Sequence, residues 1–316
     1  MTTTTEVLAP EIATATREDH ATKQAWLQAR TLGLGGSDAP VILGKSPYKA
    51  PLALYAEKLG LTEPPDVRND AADWGVMLET PVAEHYATQS GRPLYYPGPF
   101  TIYRSTRTPY LAASFDRLIL DDPLVPHVVG VLQVKTAGAW HEDEWLEEPP
   151  LHVLIQVHHE MIVAGVQEAA IAVLIGGQKY LSFEVGLNED LVELLLQEEA
   201  RFWQRLVNRD PPEPDGTKSC REILTKLYPK HVEGKTIALP ADAIEWDRQL
   251  QEANANLEKW KAEKELAENK IKAALGYAEK GVLAGGVAYT WKASPRKGYV
   301  VQDAIVRTLR RSVAKH

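Results

Sequence analysis

The sequence predicts a mixed α/β layer fold followed by a helical appendage. Three observations predict it. Hydrophobic spacing switches from helical repeats to period two between residues 93 and 136; a helix, a buried strand and an amphipathic helix then follow; and past the linker PPEPDGTKS an apolar three-four repeat takes over.

Taken in order, residues 1–16 are Thr-rich and aperiodic and read as a loose arm, and 17–30 read as a helix ending at Arg30. In RTLGLGGSDAPVILG, Gly35 and Gly36 make a tight turn and Ser37-Asp38 can cap a new helix. After the Pro-rich loop TEPPDV, the residues Trp74, Met77, Leu78, Val82 and Tyr86 recur at helical spacing, with Glu79 a polar neighbour of that apolar face. PLYYPGPFTIY, YLAASFDRLIL and HVVGVLQVKTA read as three strands in meander order. EEPPLHVLIQVHHEMIVAGV reads as a helix, IAVLIGG as a buried strand, and NEDLVELLLQEEARFWQRLVNRD as an amphipathic helix closed by Pro211-Pro212. The expected domains are therefore 17–212 and 213–316. In the second, Trp246, Leu250, Ala253, Leu257, Trp260, Lys264, Ala267, Ile271 and Ala274 form a heptad seam, which the lysine and alanines suit to packing on its own domain. A short strand, GGVAYTWKA, and a basic helix close the chain.

Composition narrows the function classes. The 316 residues carry a net charge of −8, against a polycation that coats nucleic acid nonspecifically. The charge is uneven: 292–316 hold seven Lys/Arg against Asp303, a tail of +6 that leaves −14 elsewhere. Such an end can touch phosphates, though a solvated terminus is the plainer reading. No apolar run is long enough for a membrane span, and MTTTTEVLAP lacks a signal-peptide pattern, so a cytoplasmic protein with no membrane partner is expected. One cysteine, Cys220, excludes an internal disulfide and a Cys-based zinc cluster.

Polar residues collect at the predicted sheet edges. Glu79 lies on the preceding helix, Asp116 follows YLAASF, Gln133 and Lys135 share one face of the next strand, and Gln156 and Glu160 lie one turn apart on the following helix. Metal-assisted phosphodiester hydrolysis needs oxygen ligands for Mg²⁺ and a cation near the attacking water, and these residues can supply both. Taken singly, each has a plain alternative: Asp116-Arg117 as a surface ion pair, Lys135 as a snorkelling strand end, Glu79 as a solubiliser. The adjacent histidines of HHE at 158–160 point apart on a helix and lack HExxH spacing, so zinc is not expected. Trp140, Trp145 and Tyr48 read as core or as platforms for unpaired bases.

The order of these pieces resembles the PD-(D/E)XK nucleases, and more closely the YqaJ-type viral recombinase family that includes lambda exonuclease. The matching pieces are GLGGSDAPVILGKSPYKAPLALYAEKLG, WGVMLETPVAEHY, ASFDRLI, LQVKTA and PPLHVLIQVHHEMIVAG, over residues 30–165, with FWQRLVNRDPP extending the likeness to about 212. The resemblance implies a restriction-endonuclease-like mixed sheet flanked by helices. It also implies roles: Asp116 as central metal ligand, Lys135 orienting the attacking water, Glu79 contributing to metal or water, and Gln156 steadying the site. Arg30, Ser37 and Ser114 match the family's 5′-phosphate pocket. Ser37 also reads as a simple N-cap.

One position departs. The family's second metal carboxylate falls at 133, where this chain has Gln133, and losing a unit of charge weakens a site for a hard dication. Three readings stand: the acid has moved to Glu160, the site is inactive (naturally or through a replaced glutamate), or Gln133 ligates through its carbonyl oxygen. By resemblance the function is a Mg²⁺-dependent exonuclease, with Mn²⁺ able to substitute, that trims the 5′ strand of duplex DNA ends for a single-strand annealing protein. A homo-oligomeric ring is expected from the same likeness. The alternatives are an inactive DNA-end-binding relative and a protein-interaction scaffold acting through the heptad segment.

Overall fold

The protein is described by a computed structural model covering residues 9–62, 70–124 and 126–295. Most of TEPPDV and the basic helix expected at the C-terminal end lie outside those residues. The chain divides into two compact units, 1–229 and 230–316.

The first unit opens with strand β1 (Ala15–Asp19) and helix α1 (Lys23–Thr31), which corrects the single helix read over 17–30. The reason is local: Thr22 accepts the Ala25 N–H and starts the helix only there. Short helices α2 (Ala39–Ile42) and α3 (Pro51–Lys58) precede the long α4 (Asp70–Ser90). Then come β2 (Leu94–Tyr95), β3 (Thr101–Ser105), β4 (Ala112–Ala113), β5 (Arg117–Leu120) and β6 (Val128–Ala137). Helix α5 (Leu151–Ala164), β7 (Glu168–Ile175), β8 (Lys179–Gly186), α6 (Glu189–Asn208) and α7 (Lys218–Leu227) complete the unit.

The main sheet is mixed, in the order β2-β5-β6-β7-β8, with β6 and β7 parallel and the other pairs antiparallel. A parallel pair needs a crossover, and α5 supplies it. Alternation divides the sheet's side chains. Leu118, Val131, Ile171 and Val173 pack with Val153, Val157 and Met161 of α5, while Ile119, Leu132, Ala170 and Ala172 pack with Val82, Ala83 and Tyr86 of α4. The result is the mixed sheet flanked by helices that the sequence predicts.

The three-strand meander is corrected. β3 joins β1 and β4 in a separate sheet, whereas β2 joins β5, so the run YLAASFDRLIL breaks at 114–116 as it passes from one sheet to the other. The break frees Ser114 and Asp116 from regular pairing. Trp74 and Met77 are also corrected: both are exposed, and α4 meets the sheet only through its second half. The first unit runs past the boundary read at 212, because α7 packs on α3 with Cys220 and Ile223 buried and Ser219 Oγ accepting the Ala50 N–H.

The second unit holds α8 (Ala243–Leu275) and a hairpin of β9 (Lys280–Val282) and β10 (Ala288–Thr290). No residue of α8 is buried, and Trp246, Leu250, Leu257 and Trp260 of its seam are exposed, so among the described residues nothing covers the seam.

Candidate active site

A cleft of about 450 Å³ lies where the two sheets diverge. It is lined by every predicted site residue: Arg30, Ser37, Glu79, Ser114, Asp116, Gln133, Lys135, Gln156 and Glu160.

Alternation along β6 sets one wall. Gln133 and Lys135 project to the same side as Val131, toward α5, and there they meet Gln156. Gln156 is the hub of the cluster. Its Oε1 accepts from Lys135 Nζ at 3.0 Å, and its Nε2 donates to Gln133 Oε1 at 2.8 Å and to Glu160 Oε1 at 2.9 Å. Gln133 in turn donates through Nε2 to Asp116 Oδ2, which also receives the Val134 N–H at 2.8 Å. With its Oε1 engaged by Gln156 and its Nε2 turned to the carboxylate, Gln133 acts here as a bridge between acids.

Both carboxyls are strongly perturbed. Burial pushes Asp116 up to about 6, and the Glu79 charge adds to the rise while Lys135, the Val134 N–H and Arg117 oppose it. Glu160, 2% exposed, is pushed up to about 7 by burial and then by repulsion from Asp116, against the help of Gln156 and Lys135. Two buried acids in one cleft, the Asp116 charge raising Glu160, offer hard oxygen donors to a dication, so the donor set fits Mg²⁺ or Mn²⁺. Asp116, Glu160 and, by turning its amide, Gln133 are the residues that could hold it. Among the described residues no three His, Cys, Asp or Glu side chains converge, so a metal here would depend on neutral oxygens and water.

Glu79 is placed differently from expectation. Its Oε1 accepts from Arg117 Nη1 at 2.6 Å, and the same guanidinium donates to Thr80 Oγ1 at 2.8 Å and to the Asp116 carbonyl. Arg117 is buried, and its guanidinium lies 4.1 Å from the centre of the Tyr96 ring. The reading of Asp116-Arg117 as a surface pair is therefore corrected: period two turns Arg117 away from its neighbour and toward α4.

At the other end of the cleft, Arg30 Nη2 donates to Ser37 Oγ at 3.0 Å and its guanidinium stacks 4.6 Å from the Trp26 ring. Trp26 Nε1 donates to Ser114 Oγ at 3.2 Å, and Ser114 donates to the Thr101 carbonyl at 2.8 Å. The three phosphate-pocket residues thus form one cluster. Ser37 is not the N-cap; Asp38 holds that position, and its carboxylate turns back to the Gly35 N–H at 2.9 Å. Gly36 joins the two halves, since a Cβ there would lie 2.7 Å from Glu160 Oε1.

The histidines are structural. His158 accepts the Asn188 N–H at Nε2 and so carries its proton on Nδ1, toward the Leu154 carbonyl. His159 sits between Glu199, at 2.6 Å, and the Ala112 carbonyl, at 2.9 Å. Of the three aromatics, Trp145 is core, whereas Trp140 and Tyr48 are exposed. Sequence reasoning missed Trp26, Arg117 and Glu199, which contact residues lining the cleft or their neighbours. Only Arg117 had a signal, a base beside a buried acid.

The fold and cleft define an α/β protein with a buried acid-amide-lysine cluster beside the Arg30–Ser37 pair. Residues 25–167 match the model of the YqaJ-like viral recombinase domain. The chain is 30% identical over 274 residues to the uncharacterized protein YqaJ of Bacillus subtilis strain 168, across 85% of this chain and 83% of that protein. This chain belongs to the YqaJ-like viral recombinase domain family. Among solved structures, it is similar to LHK-Exo, an alkaline exonuclease from Laribacter hongkongensis, with 18% identity and a TM-score of 0.49 over 59% of this chain and 94% of that one. A phage-related exonuclease from Haemophilus somnus 129PT matches at 12% identity and a TM-score of 0.40, over 56% and 96% of the respective chains.

Proposed function

We propose that the protein is a divalent-metal-dependent deoxyribonuclease that acts on duplex DNA ends from the 5′ strand, in recombination with a single-strand annealing protein. The observation that carries this reading is Glu160, a buried acid coupled to Asp116 in a cleft shared with Lys135 and the Arg30 cluster. It supplies the second carboxylate that position 133 lacks.

In this reading Arg30, Ser37 and Ser114 hold the 5′-phosphate by charge-assisted hydrogen bonds. Asp116 and Glu160 would hold Mg²⁺, which when bound would polarise the scissile phosphate and ease ionisation of water. Lys135 orients the attacking water and stabilises the hydroxide it becomes. Gln156 fixes Lys135 and Glu160 relative to each other, and Arg117 fixes Glu79 at the rim for a contact to water. A ring of several copies would confine cationic side chains to a channel and reconcile DNA binding with net charge −8.

The test is to incubate linear duplex carrying 5′-phosphate with Mg²⁺ or Mn²⁺ and measure nucleotide release. Release that disappears in EDTA supports the enzyme, and neither release nor end binding overturns it. The neutral Gln133, hydrogen-bonded to Asp116, favours a second reading, an end-binding protein without hydrolysis; binding without release selects that one. Light scattering in solution tests the ring, and a monomer at working concentration overturns it.

A further inference from the structure

Lys58 and Asp38 form an ion pair at 2.6 Å with side chains only 5% and 7% exposed. Two buried charges with no structural task are costly, because desolvation offsets most of their attraction. Lys58 has two other contacts. Its Nζ donates to the Arg30 carbonyl at 2.9 Å and to the Gly33 carbonyl at 2.6 Å, so all three ammonium protons are used. Asp38 Oδ2 also receives the Gly35 N–H. Burial works against its charge, but Lys58 and that N–H outweigh it and hold the carboxyl below its ordinary value.

These contacts grip the segment from Arg30 to Asp38 at both ends and in the middle. The same segment is tied to the strand that leads to Ser114, by Leu34 N–H to the Tyr110 carbonyl at 2.6 Å and Ala112 N–H to the Leu34 carbonyl at 2.8 Å. Lys58, at the end of α3, lies outside the cleft lining, and its ammonium group bonds to the segment that carries Arg30 and Ser37.

We propose that Lys58 and Asp38 are positioning residues that set the Arg30–Ser37 clamp for a terminal phosphate, so that the buried pair governs discrimination between 5′-phosphate and 5′-hydroxyl ends. The inference rests on the nuclease reading of the cleft, but binding alone tests it. Anisotropy of labelled duplexes, one with a 5′-phosphate and one with a 5′-hydroxyl end, with Ca²⁺ in place of Mg²⁺, gives a ratio of dissociation constants for the full-length protein. The ratio does not depend on the fraction of protein that is folded. Lys58→Met/Asp38→Leu removes both charges and orphans neither. It is expected to reduce the ratio about tenfold, the scale of a small misplacement of a binding group. Arg30→Ala is expected to abolish it. An unchanged ratio in the double variant, with the ratio lost in Arg30→Ala, overturns the positioning role alone. A wild-type protein that does not discriminate, or an Arg30→Ala variant that still does, overturns the clamp and this inference together.

Discussion

Gln156 Nε2 donates to Glu160 Oε1 at 2.9 Å, one turn along α5, and this contact aims the glutamate into the cleft. If Glu160 replaces the acid missing at 133, Glu160→Gln should keep the shape and lose the charge. Calorimetric Mn²⁺ affinity and Mg²⁺-dependent nucleotide release are both expected to fall, on the order of 100-fold. Unchanged cleavage would eliminate the migrated acid. Gln133→Glu in parallel adds a third carboxylate and should raise metal affinity.

The same acids make stability depend on pH. Asp116 and Glu160 have carboxyls raised in the folded state, so the native protein binds more protons than the unfolded chain between about pH 4 and 7. Their contribution is fully present below the unfolded values and is lost as pH rises through about 6 for Asp116 and about 7 for Glu160. Metal-free protein should therefore melt at lower temperature at pH 8 than the Glu160→Gln variant. Adding Mg²⁺ should reverse the order, because a bound dication stabilises only the native state with both acids ionised. Melting curves in EDTA and in Mg²⁺ check both halves.

Gly36 offers a steric test. A Cβ at 36 would lie 2.7 Å from Glu160 Oε1 and 3.3 Å from Gln156 Cγ, and the glycine needs no left-handed backbone. Gly36→Ala should push Glu160 off Gln156 at small cost in fold, lowering metal-dependent activity about tenfold or more. Cleavage at wild-type rate would mean that the carboxylate's position in the cleft does not matter.

Periodicity put Glu79, Asp116, Lys135 and Gln156 near the sheet, each with a plain alternative; the order of the motifs, through the family likeness, singled them out together, and one cleft is lined by all four. The mixed sheet was implied only by the likeness, while the α/β layering was legible from the same periods. What joins distant segments was not: Arg117 meets Glu79 across 38 residues and His159 meets Glu199 across 40. No local period carries such a pairing. The split of YLAASFDRLIL between two sheets was hidden too, since no glycine or proline marks the break at 114–116. Strand β8 was overlooked because its alternation is half-exposed against the strong amphipathic signal of α6.

The pair of His159 and Glu199 ties α5 to α6 and, through the Ala112 carbonyl, to the strand before Ser114. Both ring nitrogens face acceptors, so both must carry protons. Burial opposes the charged ring, yet Glu199 and the Ala112 carbonyl push His159 up to about 9. A raised histidine stabilises the fold fully below the unfolded value near 6.5, and this contribution is lost as pH rises through about 9. His159→Gln leaves Glu199 buried without its cation and should cost about 3 kcal/mol at pH 6. The difference between wild type and variant should shrink as pH passes 9, because the wild-type ring then gives up its charge as well. Urea unfolding of both proteins from pH 6 to 10 measures that difference with other titrations cancelled. A difference that stays constant across the range would mean that the ring is neutral throughout and that α5 is held by packing alone.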